Sequence, residues 1–479
     1  MHPGLVLGII GGYFGLLILI SYLTSGKGDS KAFFTGNRQS PWYLVAFGMI
    51  GASLSGITFI SLPGSVGANG FTYMQMVLGY MVGYFVIAKV LLPLYYKLDL
   101  ISIYQYLEQR FGFWSYKTGA FFFLISRVIG ASLRLFVVAG VLQIAFFNTF
   151  NIPFEISVLI TIMLIWVYTF RGGIKTIVWT DTLQTFFMLS AVVATIYLIS
   201  AELDFGTEGV LQTITESNYS TMFDWEWQSK TNFFKQFFAG AFIAIVMTGL
   251  DQDMMQKNLT VKSLKDSQKN MFWFSTSLVF VNLVFLALGA LLYMYAQQKG
   301  IEIPVKSDDL YPLLALNNFG TFAGVIFLLG ITAAAYSSAD SALTALTTSF
   351  SVDFLGMDTE KGNKNQRMLT HVGFSILLFI VIVIFNAIND QSVISAVFTI
   401  AGYTYGPLLG MFAFGLFTDL STKDRFVPII AVIAPVLSYV ISSYSESLLN
   451  GYKFGFELLI VNGFITFLGL WAFSKKTNS

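Results

Sequence analysis

The sequence contains no cysteine and only two histidines, His2 and His371, among its 479 residues. The absence of cysteine excludes thiolate metal sites, disulfides and cysteine nucleophiles, and two histidines leave little for histidine-based metal chemistry. Charge is also scarce, because Asp, Glu, Lys and Arg make up 11% of the residues and the net charge is +1. A nearly neutral chain offers no basic surface for nucleic acid, so nucleic acid is not expected as a partner.

Apolar residues dominate instead, in long runs from end to end. Hydrophobic residues account for 55% of the chain and aromatic residues for 17%. Dividing the runs at their polar connections predicts an all-α polytopic membrane protein with about thirteen transmembrane helices, each near the ~20 residues that a bilayer requires. The predicted spans are 5–23, 41–68, 70–97, 115–147, 152–170, 173–201, 231–255, 268–297, 318–350, 368–388, 391–417, 425–446 and 452–474.

Lysine and arginine are concentrated in alternate connections between these spans. By the positive-inside rule those connections are cytoplasmic, which predicts a multi-pass cell-membrane protein with its N-terminus outside and its C-terminus in the cytoplasm. The cations are Lys27, Lys31, Arg38, Arg110, Lys117, Arg171, Lys175, Lys257, Lys262, Lys265, Lys269, Lys361, Lys364, Arg367, Lys423, Arg425, Lys475 and Lys476.

The second predicted span is interrupted by small and polar residues between Gly51 and Gly56, followed by Leu62, Pro63 and Gly64. Such a stretch at mid-membrane is typical of an unwound turn whose carbonyl groups face a cavity. Close helix packing through small residues explains the same pattern. The residues alone favour neither interpretation.

A second polar stretch lies in the span 318–350. Ser337 and Ser341 share one helical face, and Asp340 lies beside them. Hydroxyl, carbonyl and carboxylate oxygens are the ligands of hard cations such as sodium. The alternative is structural, because serines in membrane helices usually bond to their own backbone.

Three charged residues fall inside predicted spans. Asp181 requires a cation or a hydrogen-bond donor, because an unpaired carboxylate in a membrane is costly. Arg127 and Arg134 lie about two helical turns apart and should face the protein interior. We expect a structural ion pair at Arg127, whereas Arg134 fits a substrate contact and an ion pair equally well.

The run from Gly172 to Gln184, with Trp179, Thr180 and Asp181 at its centre, resembles the signature of the sodium:solute symporter family, which includes the sodium/glucose cotransporters. Further matching segments occur in the same order along nearly the whole chain. They are 33–38, 107–112, 252–257, 334–338 and 405–410.

The resemblance implies a LeuT-type fold built from two inverted five-helix repeats. In this interpretation residues 1–40 form an extra N-terminal helix and a cytoplasmic loop. The first repeat spans 41–201, an extracellular loop covers 202–230, and the second repeat spans 231–417. Residues 418–479 form two C-terminal helices and a short tail.

The resemblance also implies a sodium-coupled symporter that imports a small organic solute by alternating access. No enzymatic activity is expected, and sodium is the only metal and the coupling ion, with no further cofactor. The family's sodium site maps onto Gly51, Leu54, Ala334, Ser337 and Ser338.

Some family members carry a second sodium site, which maps onto Asp181, Ser337, Asp340 and Ser341. This chain departs from them at Asp340, where those members have serine. Three interpretations follow: a symporter coupled to two sodium ions, one coupled to a single sodium ion with a structural Asp340, and coupling that includes a proton.

The substrate is predicted less sharply. Family members that transport sugars resemble one another in having a glutamine and a glutamate at two positions of the cavity. This chain has Thr58 and Val77 at those positions, which argues against a sugar as its substrate. Arg134 favours a carboxylate-bearing solute, because acid-transporting members similarly use an arginine on this helix. A sugar, polyol or other neutral solute remains an alternative, as does a substrate-sensing or channel-like protein on the same fold.

The predicted partners are the solute, sodium and membrane lipid, with the protein a monomer or weak oligomer. The predicted substrate-binding residues are Ser53, Ser55, Thr58, Phe59, Tyr73, Gln75, Tyr80, Arg134 and Thr404.

Overall fold

A computed structural model describes residues 3–24, 34–203, 207–357, 363–388 and 393–476. The predicted cytoplasmic cations Lys27, Lys31 and Lys361 lie outside these ranges. Within the ranges, only the backbone is described for residues 3, 167–173, 207, 208, 475 and 476. The first α-helices in chain order are α1 (Pro3–Thr24), α2 (Trp42–Ser53), α3 (Gly56–Asn69), α4 (Tyr73–Val86), α5 (Leu92–Lys97), α6 (Gln105–Arg110), α7 (Phe113–Ala145), α8 (Phe154–Glu202) and α9 (Thr207–Glu216).

The second half of the chain is built in the same way. Its α-helices are α10 (Phe233–Ala244), α11 (Gln252–Leu259), α12 (Leu264–Gln298), α13 (Leu310–Asn317), α14 (Gly320–Ser349), α15 (Lys364–Ile388), α16 (Val393–Thr404), α17 (Gly406–Phe417), α18 (Val427–Leu448) and α19 (Leu458–Ala472). Single π-helical turns at Ile87–Leu91, Ile245–Gly249 and Phe350–Phe354 extend α4, α10 and α14.

Two short strands complete the described structure. Strand β1 (Leu420–Thr422) pairs antiparallel with β2 (Ser474–Lys476), with Ser421 opposite Lys475. Short 3-10 turns occur at Gly36–Arg38, Phe147–Phe150, Asn218–Ser220, Ser307–Asp309 and Asp424–Phe426.

Every predicted span has a helical counterpart among the described residues. Eight helices are long and apolar enough to cross a membrane, and three bent pairs of shorter helices raise the number to 11. Two further apolar helical segments, Phe154–Trp166 and Leu458–Ala472, match the predicted spans 152–170 and 452–474. The structure joins the predicted spans 152–170 and 173–201 in the single helical element α8.

Each bent pair has a local cause. Between α2 and α3 the chain turns by 56° at Ser55, whose backbone leaves the helical region. Between α10 and α11 it turns by 64°, and the Asp251 carboxylate caps α11 by accepting hydrogen bonds from the backbone of Asp253 and Met254. The bend between α16 and α17 is 45° and falls next to Pro407, which cannot donate a backbone hydrogen bond. The first two bent pairs stand at the start of the two predicted repeats.

Helices α4 and α10 approach each other closely through glycine. A β-carbon on Gly240 would collide with the backbone carbonyl oxygen of Met76, and one on Gly79 would collide with that of Phe237. Only hydrogen atoms fit at these two positions, so the two glycines allow α10 to pack directly against α4.

We expect Gly240→Ala to destabilise the protein, because the two backbones must separate to admit the methyl group. Overpacking of this kind costs about 1–3 kcal/mol and exceeds the helix-propensity gain of alanine, roughly 0.5–1 kcal/mol. Gly373→Ala is the matched control, since a β-carbon there meets no atom within 4 Å. Thermal unfolding in detergent should show a lower melting temperature for Gly240→Ala alone. Equal melting temperatures for the two variants would contradict the close contact.

Candidate functional site

The break between α2 and α3 lies against the middle of α14. Helix ends leave carbonyl groups without intrahelical partners, and the hydroxyl of Ser338 points at this end. Its Oγ lies 3.2 Å from the carbonyl oxygen of Ala52 and 3.5 Å from that of Ala334. The single proton of this hydroxyl is thus shared between a carbonyl of the broken helix and one of its own helix. The structure gathers buried oxygen atoms from two elements at this point.

The predicted sodium-site residues share this buried region. Leu54, Ala334, Ser337 and Ser338 are at most 3% exposed, and Gly51 is buried as well. Thr185 braces the helix end, because Gly51 N donates to Thr185 Oγ1 at 3.1 Å and that hydroxyl donates to the carbonyl of Asp181 at 2.7 Å. The same threonine thus connects the break to Asp181.

Two of the predicted second-site residues, Ser337 and Ser341, lie at the Asp181 carboxylate. Ser337 Oγ donates to Asp181 Oδ1 at 2.7 Å, and Ser341 Oγ lies 3.5 Å from Asp181 Oδ2. Asp340 is fully buried, and its Oδ1 accepts a hydrogen bond from the backbone of Ser341 at 2.6 Å. Lys257, which sequence reasoning grouped with cytoplasmic cations, instead donates to Asp181 Oδ2 at 2.6 Å.

A central cavity opens beside the break. Its described lining contains six of the nine predicted substrate residues: Ser53, Ser55, Thr58, Tyr73, Tyr80 and Arg134. The hydroxyl groups of Tyr73 and Tyr80 are hydrogen-bonded to each other at 3.0 Å. Hydroxyl-bearing residues and two arginines, Arg134 and Arg127, therefore line a common space.

The two arginines of α7 differ in their pairing. Arg127 forms ion pairs with Asp253 and, at 3.7 Å, with Asp251, so the expected structural pairing is present. Arg134 is 8% exposed and forms no ion pair with any described residue. Its Nη1 is buried and makes no hydrogen bond within the described chain. A buried guanidinium with an unused donor is suited to holding an anion.

The other three predicted substrate residues lie elsewhere. Phe59 is fully buried and stacks on Tyr311 at a ring distance of 5.3 Å. Gln75 contacts the connection between α9 and α10, donating to the carbonyl of Thr231 at 2.8 Å and accepting from the backbone of Asp224 at 3.0 Å. Thr404 donates to the carbonyl of Ile400 at 2.8 Å. The structure does not bring these three into the cavity lining.

Asp224 remains anionic in that connection. Partial burial raises its pKa, but hydrogen bonds from Ser229 and Thr231 outweigh burial and lower the pKa below its ordinary value. This loop therefore carries a negative charge beside the N-terminal end of α4.

Sequence reasoning missed several polar groups of the cavity, among them Asn282, Tyr84 and Thr248. Asn282 lies in the middle of α12, where its Nδ2 donates to the carbonyl of Leu278 at 2.7 Å. Its Oδ1 is buried and accepts no hydrogen bond from any described residue. The signal available in the sequence was an amide side chain in the middle of an apolar span.

The fold and site define a class, polytopic membrane transporters with broken helices around a central cavity. A model of the sodium:solute symporter family matches residues 33–424. The chain therefore belongs to the sodium:solute symporter family and is a sodium-coupled symporter, which confirms the predicted family.

Individual proteins support the same assignment. The chain is 23% identical to the sodium/sialic acid symporter SiaT of Proteus mirabilis, over 93% of this chain and 91% of that protein. It is also 23% identical to the sodium/sialic acid symporter NanT of Aliivibrio fischeri, over 95% and 91% of the two chains. The solved substrate-bound, outward-open structure of a sodium-coupled sialic acid symporter superposes with a TM-score of 0.81, at 19% identity over 98% of this chain and 99% of that one. This likeness confirms the LeuT-type fold.

Proposed function

We propose that the protein couples sodium entry to the import of a small organic anion that bears a carboxylate. The main evidence for an anionic substrate is Arg134, whose buried guanidinium group lines the cavity and has no ion-pair partner among the described residues. A bidentate pair with a carboxylate would satisfy its unused donor. Arg127 does not compete for the role, because Asp253 and Asp251 already pair with it.

The rest of the cavity supports a substrate that is anionic and otherwise neutral. None of the described lining residues is acidic, so an ammonium group on the substrate would find no counter-charge. Neutral partners are abundant: Tyr73, Tyr80, Thr248 and Asn282 supply hydroxyl and amide groups. We therefore favour hydroxylated or amide-bearing carboxylates over amino acids. The sialic acid relatives support a carboxylate in the same general sense.

Sodium is proposed to bind where α14 meets the break, through carbonyl oxygens of Gly51, Leu54 and Ala334 and the hydroxyls of Ser337 and Ser338. Support comes from the buried position of all five and from the approach of Ser338 to the broken helix. A bound ion would hold α14 against α2 and α3 and so shape the cavity before the substrate enters. Rocking of one helix bundle would then release both inward.

One sodium ion is sufficient to drive useful uptake. Its movement down a membrane potential contributes about 2.3 kcal/mol per 100 mV, which corresponds to roughly fifty-fold accumulation. The proposed direction follows from the predicted orientation, in which the lysine-rich connections face the cytoplasm.

A thermal-shift screen tests the substrate class, because a ligand that binds only the folded state raises the melting temperature. Matched sets of a hydroxy acid, the corresponding amino acid and a neutral polyol are compared in sodium and in potassium. We expect the hydroxy acid to stabilise most, and only in sodium. Equal stabilisation by the neutral polyol would favour the neutral-solute alternative, for which the hydroxyl lining also provides partners.

Transport is then measured in proteoliposomes with the best ligand. We expect uphill, sodium-dependent accumulation that collapses when the sodium gradient is removed. Downhill flux alone would indicate a channel, and binding without flux would indicate a sensor.

A further inference from the structure

Lys257 and Asp181 form a fully buried ion pair next to the proposed sodium site. The side chain of each is at most 2% exposed, and Lys257 Nζ lies 2.6 Å from Asp181 Oδ2. The two residues come from different repeats, since Asp181 lies on α8 and Lys257 on α11. The second half of the broken helix α10–α11 thus carries a positive charge into the cluster of Asp181, Ser337 and Ser341.

The neighbours of Asp181 already supply its carboxylate with a positive charge, from Lys257, and with hydroxyl groups, from Ser337 and Ser341. One carboxylate oxygen takes the ammonium group and the other takes the hydroxyl of Ser337 at 2.7 Å. A sodium ion placed at the same carboxylate would have to displace Lys257 or lie beside its positive charge, which repels it. A displaced ammonium group would remain buried without a partner.

The Asp181 carboxylate of this pair also orients the Ser337 hydroxyl so that its oxygen can accept a cation at the proposed sodium site. A hydroxyl has one donor and two acceptor lone pairs, and Ser337 donates its proton to Asp181. Its lone pairs are thereby left for a cation on the other side. Ser338, the next residue, is directed at Ala52 and Ala334 instead, so the two hydroxyls diverge from a shared turn of α14.

We propose that the Lys257 ammonium group is a built-in cation that takes the place of a second sodium ion, so that the protein binds and couples one sodium ion per cycle. The inference rests on the proposed function only in assuming that sodium binds beside Ser337 and Ser338. It selects one of the three interpretations that the sequence left open at Asp181 and Asp340.

The test counts sodium ions in purified protein and in transport. Equilibrium binding of radioactive sodium gives the number bound, and the Hill coefficient for sodium is measured in uptake. We expect wild-type protein to bind one ion with a Hill coefficient near one. Lys257→Gln leaves Asp181 as an uncompensated buried carboxylate, so this variant should bind two ions and its Hill coefficient should rise towards two.

Two matched variants separate charge from packing. Lys257→Arg keeps the positive charge and should bind one ion. The double variant Asp181→Asn with Lys257→Gln removes both charges and should also bind one ion. If Lys257→Gln fails to fold, the double variant is compared with the wild type instead. Our proposal predicts that both bind the same number of sodium ions, whereas the two-sodium alternative predicts that the double variant binds one ion fewer than the wild type.

Two ions on wild-type protein, or a single ion on folded Lys257→Gln, would overturn the inference while leaving sodium symport intact. Wild-type protein that binds no sodium at all would overturn the proposed function together with it. The binding measurement is independent of the substrate, so a wrong substrate class affects neither result.

Discussion

Ser338→Ala is expected to abolish most sodium-stimulated transport while the protein still inserts and folds. The hydroxyl lies between the carbonyl groups of Ala52 and Ala334, at the junction of α14 with the helix break. Alanine removes one oxygen ligand and leaves the backbone and nearly all of the packing in place. We expect a loss of at least about tenfold in sodium affinity, which corresponds to roughly 1.4 kcal/mol. The measurement is initial uptake as a function of sodium concentration, together with the sodium-induced shift in melting temperature.

Ser438→Ala is the matched control for this variant. Ser438 is also fully buried on a membrane helix, but its hydroxyl bonds to its own helix at Ala434, at 2.8 Å. Its replacement should leave sodium dependence unchanged. If Ser338→Ala behaves like the control, Ser338 is a packing residue and the sodium-site assignment is wrong.

The fold was predictable because membrane spans obey a length rule. An apolar run near ~20 residues is required to cross a bilayer, and each predicted run corresponds to a helix in the structure. The break after Gly51 was visible as small and polar residues, and the signature around Asp181 identified the family. Boundaries were harder, because 152–170 and 173–201 lie in the single element α8.

The polar contacts within the bundle were less predictable, because they join residues far apart in the sequence. Lys257 follows a predicted span and so resembles a cytoplasmic cation, yet its partner Asp181 is 76 positions away and the pair is buried. Gln75 is a polar residue at a helix position typical of a cavity lining. In the structure, its side-chain amide instead forms hydrogen bonds with the loop backbone at Asp224 and Thr231. Periodicity places a residue on a helix face and does not specify what that face contacts.

Arg134 has the clearest expected effect on substrate binding. Its guanidinium is buried in the cavity wall, and one of its terminal nitrogen atoms has no hydrogen-bond partner within the described chain. Truncating one partner of a buried, hydrogen-bonded charge pair costs about 2–5 kcal/mol, so Arg134→Ala should weaken substrate affinity by roughly 30-fold or more.

Arg134→Lys separates a planar clamp from simple charge attraction. An ammonium group keeps the positive charge but cannot form two parallel hydrogen bonds with a carboxylate, so we expect this variant to recover little of the lost affinity. The control is a neutral amide of the same substrate, whose weaker binding should be nearly the same in wild type and both variants. Sodium binding in the absence of substrate should also remain unchanged, because the proposed sodium ligands are on α2, on α14 and at Leu54 in the helix break, whereas Arg134 is on α7. If Arg134→Ala retains wild-type affinity for the carboxylate, the arginine is structural and the main evidence for an anionic substrate is removed.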